Sequence, residues 1–266
     1  MFDSIAGDYD ALNHILSLDV DKIWRKKALK QIVDAPAPAR VLDLACGTGD
    51  FSIAIAKALS RSHKRVGTPI EAHVKAPAKA PVEAQVTSTG FVTGDSGRSD
   101  LMTKGHVTGV DLSEGMLAVM REKVAKAGLT EMISIEEGDG ENMRFPDNTF
   151  DRVTIAFGIR NFENREKGLR EMLRVLKPGG RLVILELSRP ENKIIRWFYD
   201  LYFLHILPKV GGKVSGDKAA YAYLPASVAA FPGKKEFSAT MREAGFRAVT
   251  HKAFTLGICR MYTGEK

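Results

Sequence analysis

The sequence has few cysteines and no long apolar run. Cys46 and Cys259 are its only thiols, too few for a disulfide framework and without the spacing of zinc ligands. Nowhere do about 18 uncharged apolar residues follow one another, and residues 1–6 lack the basic start and apolar core of a secretory signal. The sequence therefore predicts a cytoplasmic chain without a metal site, a disulfide or a membrane-spanning helix.

The composition is that of a globular protein with a basic surplus. Hydrophobic residues make up 44% of the 266 positions, which is enough for the core of one domain. The 39 Lys and Arg residues exceed the 32 Asp and Glu residues, so the formal net charge is +7. This charge favours an anionic partner and leaves nucleic acid, a lipid surface and an anionic small molecule open.

Strand-like and helix-like patterns alternate along most of the chain. Strand-like runs occur at residues 40–45, 107–111, 133–135, 150–157, 181–187, 248–255 and 258–262. Helical periodicity occurs at residues 21–33, 50–59, 113–127, 164–176 and 194–207. This order predicts an α/β fold, with a doubly wound, mostly parallel sheet that carries helices on both faces.

One segment interrupts the alternation. Residues 60–105 are rich in Ala, Pro, Thr, Gly and Lys and contain Phe91 as their only aromatic residue, so they cannot contribute much core. The strand and helix patterns on either side of this segment still form a continuous α/β alternation when the segment is left out. We expect a flexible insertion within a single domain that spans residues 1–266.

A glycine-rich turn, Asp-Leu-Ala-Cys-Gly-Thr-Gly-Asp at residues 43–50, follows the first predicted strand. It lies at the carboxyl end of the strand, where open α/β sheets bind ligands. Gly47 and Gly49 lack a β-carbon, so the backbone can turn sharply and approach a ligand closely. A lone Gly-x-Gly pattern is weak evidence, and an ordinary tight turn is the alternative.

The acidic character of the turn distinguishes between two adenosine-containing cofactors. A nicotinamide dinucleotide carries a pyrophosphate, which Asp43 would repel, and Ser52 stands where the third glycine of the dinucleotide pattern belongs. S-adenosylmethionine has no phosphate, and a carboxylate attracts its sulfonium and ammonium groups. The residues therefore favour S-adenosylmethionine.

Acidic residues also follow the next two predicted strands. Asp111 ends the second strand, where an acid can bind both ribose hydroxyls, although it could instead cap the helix that begins near Ser113. Asp139 and Gly140 follow the third strand, where a short polar residue can bond the adenine amine, or where they form an ordinary turn. The predicted cofactor-binding residues are Asp43, Gly47, Thr48, Gly49, Asp111, Asp139, Gly140 and Ala156.

Four further stretches carry distinctive motifs. They are residues 2–6 and 9–17 with Trp24; residues 156–162, Ala-Phe-Gly-Ile-Arg-Asn-Phe; residues 174–181 with Glu186 and Ser188; and residues 221–225 with Ser227 and residues 231–232. With the cofactor residues, they make the chain resemble the menaquinone and ubiquinone C-methyltransferases, a family of class I, Rossmann-like methyltransferases. The resemblance covers nearly the whole chain except the insertion, and adds an N-terminal helical cap to the expected fold.

The resemblance implies transfer of a methyl group to a ring carbon of a prenylated quinol. The substrate would be demethylmenaquinol or, alternatively, the 2-polyprenyl-6-methoxy-benzoquinol of ubiquinone biosynthesis. In the family, residues matching Arg160 and Asn161 orient the quinol hydroxyl. Because a guanidinium stays protonated near neutral pH, we expect Arg160 to stabilise the phenolate; an ion pair with Glu163 is the alternative.

Other residues are predicted to surround the substrate. Tyr9 would act with Arg160 and Asn161 and close over the ring, and the expected pocket residues are Asn13, Phe157, Tyr221 and Tyr223. Residues 190–232 would cover the substrate side. The aromatic helix at residues 194–207 could contact the prenyl tail or the inner face of the membrane, or pack on the sheet, with Trp197, Phe198, Tyr202 and Phe203 as candidates for tail contact.

Two other functions are compatible with parts of the sequence. An RNA or DNA methyltransferase would share the cofactor site and the basic charge. However, residues 156–159 are Ala-Phe-Gly-Ile where base amino methylation usually needs an Asn/Asp-Pro-Pro-aromatic turn, and the sequence has no recognisable RNA-binding module. We therefore expect no nucleic-acid partner. A noncatalytic scaffold and a homodimer are left open.

Overall fold

The computed structural model describes residues 20–34, 40–66, 105–202 and 218–266, apart from the side chains of residues 63–66 and 218–222. The strands of this part are β1 Arg40–Leu44, β2 His106–Asp111, β3 Ile133–Glu137, β4 Phe150–Ala156, β5 Leu176–Leu187, β6 Arg247–Phe254 and β7 Cys259–Glu265. The α-helices are α1 Val20–Ile32, α2 Asp50–Val66, α3 Glu114–Lys126, α4 Arg165–Val175, α5 Lys193–Leu201, α6 Lys218–Ala230 and α7 Lys234–Glu243.

The strands form one sheet in the order β3-β2-β1-β4-β5-β7-β6. Strands β1 to β5 pair in parallel, and β7 pairs antiparallel with both β5 and β6. The chain moves outward from β1 to β3 and then returns to place β4 on the other side of β1. The crevice between the carboxyl ends of β1 and β4 is therefore the topological switch point, where such sheets bind ligands.

Helices cover both faces of the sheet. Neighbouring residues of a strand point to opposite faces, and in β5 Val183 belongs to one hydrophobic cluster while Leu182 and Ile184 belong to another. The first cluster contains residues of α1, α2 and α3, and the second contains residues of α4 and α7. The doubly wound, mostly parallel sheet predicted from the sequence is confirmed.

Several boundaries differ from the prediction. Helix α2 continues through residues 60–66, the first seven residues of the predicted insertion, because no glycine or proline interrupts the sequence before Gly67. Strand β5 begins at Leu176, the last residue of the predicted helix, rather than at residue 181. Leu176 pairs with Phe150, and the register shifts before the next pair, Arg152 with Arg181.

The remainder of the insertion, residues 67–104, and residues 203–207 of the predicted aromatic helix lie outside the described residues. Among the residues that are described, no helix has the length and apolar content needed to cross a membrane.

Candidate active site

A cleft of about 460 Å³ opens at the carboxyl ends of β1 and β4. It contains many of the residues singled out in the sequence, although they come from four separate connections of the fold. These are Gly47, Asp111, Asp139, Gly140, Ala156, Phe157 and Asn161. Leu112, Met116 and Phe162 add apolar surface to the same cleft.

The backbone leaves the two central strands through strained turns. Ala45 after β1 and Phe157 after β4 have φ values of 49° and 62°, a region that residues with a side chain seldom adopt. A β-carbon at Gly158 would lie 2.4 Å from that of Ala45, so the two turns pack closely. Strain of this kind concentrates at functional sites, and here it shapes the floor of the cleft.

Asp111 ties the glycine turn to the end of β2. Its Oδ2 accepts a hydrogen bond from the amide of Gly47 at 2.8 Å, and its Oδ1 accepts one from the amide of Ser113 at 2.9 Å. Ser113 is itself the N-cap of α3. Asp111 therefore helps to fix the start of α3, as the alternative interpretation held, and also lines the cleft.

Gly49 has a packing function that the sequence did not indicate. Its φ is 84°, and a β-carbon there would lie 2.4 Å from Cγ of Met120 on α3. The missing side chain makes room for Met120, whereas we expected it to make room for a ligand.

Asp43 lies beneath the glycine turn and is only 1% exposed. Burial raises the pKa of its carboxyl to about 7, although the hydrogen bond from Ser52 and the charge of Arg25 act in the opposite direction. Ser52 Oγ donates to Asp43 Oδ2 at 2.6 Å, so the residue that replaces the third glycine orients this acid.

Thr48 and Asp50 are both held by Lys123 of α3. Lys123 Nζ lies 3.3 Å from Thr48 Oγ1 and pairs with Asp50 Oδ1. With Asp43, these two residues line a smaller hollow beside the cleft. The glycine turn is thus fixed from the side of α3.

Arg160 is buried, at 7% exposure, in the short helix Ile159–Asn161 after β4. Its Nη1 donates to Glu186 Oε1 at 3.0 Å and to the carbonyl of Phe157, and its Nε donates to Ser227 Oγ at 3.3 Å. The ion partner is therefore Glu186 rather than Glu163. These bonds leave Nη2 of Arg160 without an acceptor among the described residues.

Glu186 is a component of this site whose contacts the sequence did not reveal. It is fully buried on β5, and its two oxygens also accept hydrogen bonds from the amides of Arg160 at 3.1 Å and Leu187 at 2.8 Å. A carboxylate in the apolar run 181–187 was the available signal, because charged residues are seldom buried without a partner. Glu186 joins the end of β5 to the turn after β4.

Asn161, which lines the cleft, is linked to Tyr223 of α6. Tyr223 OH donates to Asn161 Oδ1 at 2.9 Å, which brings together two residues predicted to contact the substrate. The bond fixes the orientation of the Asn161 amide, whose NH2 is the group that can donate to a ligand. Tyr9, Asn13 and the side chain of Tyr221 lie outside the described residues.

Helix α1 covers the edge of the cleft at Phe157. Trp24 packs against Phe157 with ring centroids 6.2 Å apart, and Trp24 Nε1 donates to Thr255 Oγ1 at 2.8 Å. The guanidinium carbon of Arg25 lies 5.7 Å from the centroid of the Phe157 ring. Trp24 belonged to a motif in the sequence, but nothing there placed Arg25 at the site.

Solved structures described as S-adenosylmethionine-dependent methyltransferases align with this fold. An S-adenosylmethionine-dependent methyltransferase from Aquifex aeolicus aligns with a TM-score of 0.52 at 20% identity, over 90% of this chain and 88% of that one. One from Thermotoga maritima aligns with a TM-score of 0.56 at 17% identity over all of both chains. The protein therefore has the class I fold of S-adenosylmethionine-dependent methyltransferases, with its acidic glycine turn at the switch point of the sheet.

Sequence comparisons narrow this class to a family. The model of the ubiE/COQ5 methyltransferase family matches residues 1–266, and the chain belongs to that family. A ubiquinone/menaquinone biosynthesis C-methyltransferase of Geobacter sulfurreducens is 44% identical over 100% of this chain and 87% of its own length. Demethylmenaquinone methyltransferases of Deinococcus radiodurans and Bacteroides fragilis are 40% and 38% identical over 100% of this chain and 91% of their own lengths. The resemblance inferred from the motifs is confirmed.

Proposed function

We propose that this enzyme methylates a ring carbon of demethylmenaquinol, with the ubiquinone precursor benzoquinol as the second candidate substrate. The observation that carries the proposal is the continuity of the cleft from the glycine turn to Asn161, which would let a methyl donor and an acceptor lie side by side. The names of the family relatives support it, since two of them specify demethylmenaquinone and one names both quinones.

The residues of the cleft suit S-adenosylmethionine, which supplies an electrophilic methyl group on a sulfonium. Asp139 and Gly140 would hold the adenine. Asp111, on the adjoining wall of the cleft, would bind the ribose. Asp43, beneath the turn, would attract the positively charged end. The close turns at Ala45 and Phe157, which line the cleft, would exclude water and align the reacting groups.

The acceptor end of the cleft would activate the quinol. Loss of a hydroxyl proton makes the ortho carbon nucleophilic, so the site must favour the phenolate. The amide NH2 of Asn161, oriented by Tyr223 at 2.9 Å, and Nη2 of Arg160 are suited to donate hydrogen bonds to that oxygen. Tyr9 and Asn13 would close over the ring, and Tyr221 would line the pocket with Tyr223 and Phe157.

The test is a comparison of quinol substrates. The purified chain should methylate demethylmenaquinol with a kcat/KM at least about tenfold above that for the benzoquinol, a discrimination of roughly 1.4 kcal/mol.

A variant tests the acceptor site. Asn161→Ala should lower kcat/KM by about 10²-fold if Asn161 contacts the developing phenolate. Lys252→Ser, an exposed change on β6, is the matched control. Equal rates with Asn161→Ala would remove Asn161 from the acceptor site.

We also propose that α5 rests on the membrane that contains the prenylated substrate. Ile194, Trp197, Phe198 and Leu201 recur at helical spacing and are 70%, 61%, 60% and 39% exposed, while Tyr199 on the opposite face is buried. An amphipathic helix with this aromatic stripe is typical of a bilayer interface.

A flotation assay would test this contact. The chain should rise with vesicles of phosphatidylcholine and phosphatidylglycerol, and the double variant Trp197→Ser, Phe198→Ser should lose most of that binding. Unchanged flotation of the double variant would contradict the contact. Concentration-dependent dimerisation that the same variant abolishes would instead assign the stripe to a subunit interface.

A further inference from the structure

Arg25 of α1 borders a small hollow that adjoins the cleft. The hollow has a volume of about 30 Å³, which is room for a group about the size of a carboxylate, since one water needs roughly 10–15 Å³ on this scale. Its walls include Arg25, Asp43, Gly47, Thr48, Asp50 and Phe157. Gly47 and Phe157 also line the cleft, so a ligand in the cleft can extend into the hollow.

The guanidinium of Arg25 is positioned but incompletely hydrogen-bonded. It lies over Phe157 and its Nη1 is 3.3 Å from Asp50 Oδ2. Its Nε is 3.7 Å from Asp21 Oδ2, beyond hydrogen-bond distance, and is buried without an acceptor in the described part of the chain. Its Nη2 has no hydrogen bond to the described residues and is not among the buried nitrogens, so it can donate a charge-assisted hydrogen bond to a carboxylate in the hollow.

The charges around the hollow favour a ligand that carries both signs. Three acids, Asp21, Asp43 and Asp50, surround two cations, Arg25 and Lys123. A ligand with a carboxylate alone would meet a surplus of negative charge. A ligand with two cationic groups and one carboxylate would balance the set, and the sulfonium, ammonium and carboxylate of S-adenosylmethionine have this composition.

We propose that Arg25 binds the carboxylate of the methionine moiety, and that it selects ligands with a complete amino-acid end over adenosyl thioethers that lack the carboxylate. The inference rests on the cofactor placement given under the proposed function: the adenosine lies toward Asp111 and Asp139, so the amino-acid end lies toward α1. The anchor from Trp24 to Thr255 at 2.8 Å holds α1 in place for this contact.

Calorimetric titration with two ligands tests the assignment. S-adenosylhomocysteine and S-adenosyl-3-thiopropylamine differ only in the carboxylate, and neither donates a methyl group. The unaltered chain should bind the first roughly 10- to 100-fold more tightly, the range expected for a charge-assisted hydrogen bond. Arg25→Gln should bind S-adenosylhomocysteine more weakly by the same factor and bind the decarboxylated ligand unchanged, so that its ratio of affinities approaches one.

The controls separate this contact from other effects. Lys26→Gln removes one exposed charge from the same helix and should keep the full ratio. Arg25→Lys keeps the charge without the planar fork and should give an intermediate ratio of affinities. If Arg25→Gln does not fold, Arg25→Lys provides the test. Equal weakening of both ligands by Arg25→Gln, or an unchanged ratio, would overturn the inference. Failure of the unaltered chain to bind either ligand would instead overturn the proposed cofactor site.

Discussion

Replacement of Arg160 by alanine should lower stability as well as turnover, for separate reasons. Arg160 and Glu186 form an ion pair at 3.0 Å, with side chains 6% and 0% exposed. Removal of the guanidinium leaves the Glu186 carboxylate buried with only the amides of Arg160 and Leu187 as donors. Broken buried pairs of this kind typically cost about 3–5 kcal/mol, so we expect Arg160→Ala to lose that much free energy of unfolding.

The two effects separate when both partners are replaced. Much of the cost of a broken buried pair is the charge left without a partner. Arg160→Met with Glu186→Gln removes both charges and keeps a side-chain oxygen that can accept from the backbone amides of positions 160 and 187, so it should recover part of the stability. Turnover should not recover, because the phenolate stabilisation proposed for Arg160 would be lost in both variants, at a cost of about 10²- to 10³-fold in kcat. S-adenosylmethionine affinity should change little in either.

Urea unfolding, calorimetry and a methyl-transfer assay measure the three quantities on the same preparations. The argument from the buried pair would be refuted if the free energy of unfolding of Arg160→Ala lay within about 0.5 kcal/mol of that of the unaltered chain. A difference of this size is the range of ordinary surface changes. Retention of full turnover by Arg160→Ala would remove this residue from the mechanism.

Three further predictions concern the donor site. Gly49→Ala should lose about 2–4 kcal/mol of stability on urea unfolding, because of its φ of 84° and the clash with Met120; Met120→Ala in that background should restore part of the loss, and no coupling between the two changes would count against the packing argument. Because burial raises the folded pKa of Asp43 to about 7 from 3.8, its ionisation costs stability as the pH rises from about 4 to 7, and a cationic cofactor that binds the ionised form should bind more tightly at pH 8 than at pH 6; Asp43→Asn should flatten this calorimetric profile, and an equally steep profile would assign it to another group. Asp111→Asn should weaken S-adenosylmethionine binding about 10-fold or more if the carboxylate binds the ribose, and unchanged affinity would restrict Asp111 to its contacts with Gly47 and Ser113.

The sheet was predictable because its signals are local. Short apolar runs such as residues 40–45 and 107–111 stand between turns and helices, and a parallel sheet buries such runs on both faces. Asp111 and Asp139 were identifiable because each directly follows a strand, and the carboxyl ends of parallel strands meet at one edge.

The contacts that hold the site together were not predictable. Glu186 meets Arg160 because the register of β4 and β5 pairs Ala156 with Leu185, and no spacing along the chain encodes that register. The need for glycine at position 49 depends on how α3 packs against the glycine turn. The position of Arg25 depends on how α1 packs against β4 and β5. Each is a long-range consequence of packing, whereas the motifs report only local turns and periodicity.

The location of the transferred methyl group tests the central claim most directly. The purified chain would be incubated with S-adenosylmethionine labelled in its methyl group and reduced demethylmenaquinone, and the product examined by mass spectrometry and NMR. We predict one labelled methyl on a ring carbon, with one S-adenosylhomocysteine formed per product. Binding of the cofactor without transfer to any quinol carbon, or a label on oxygen, would contradict this account.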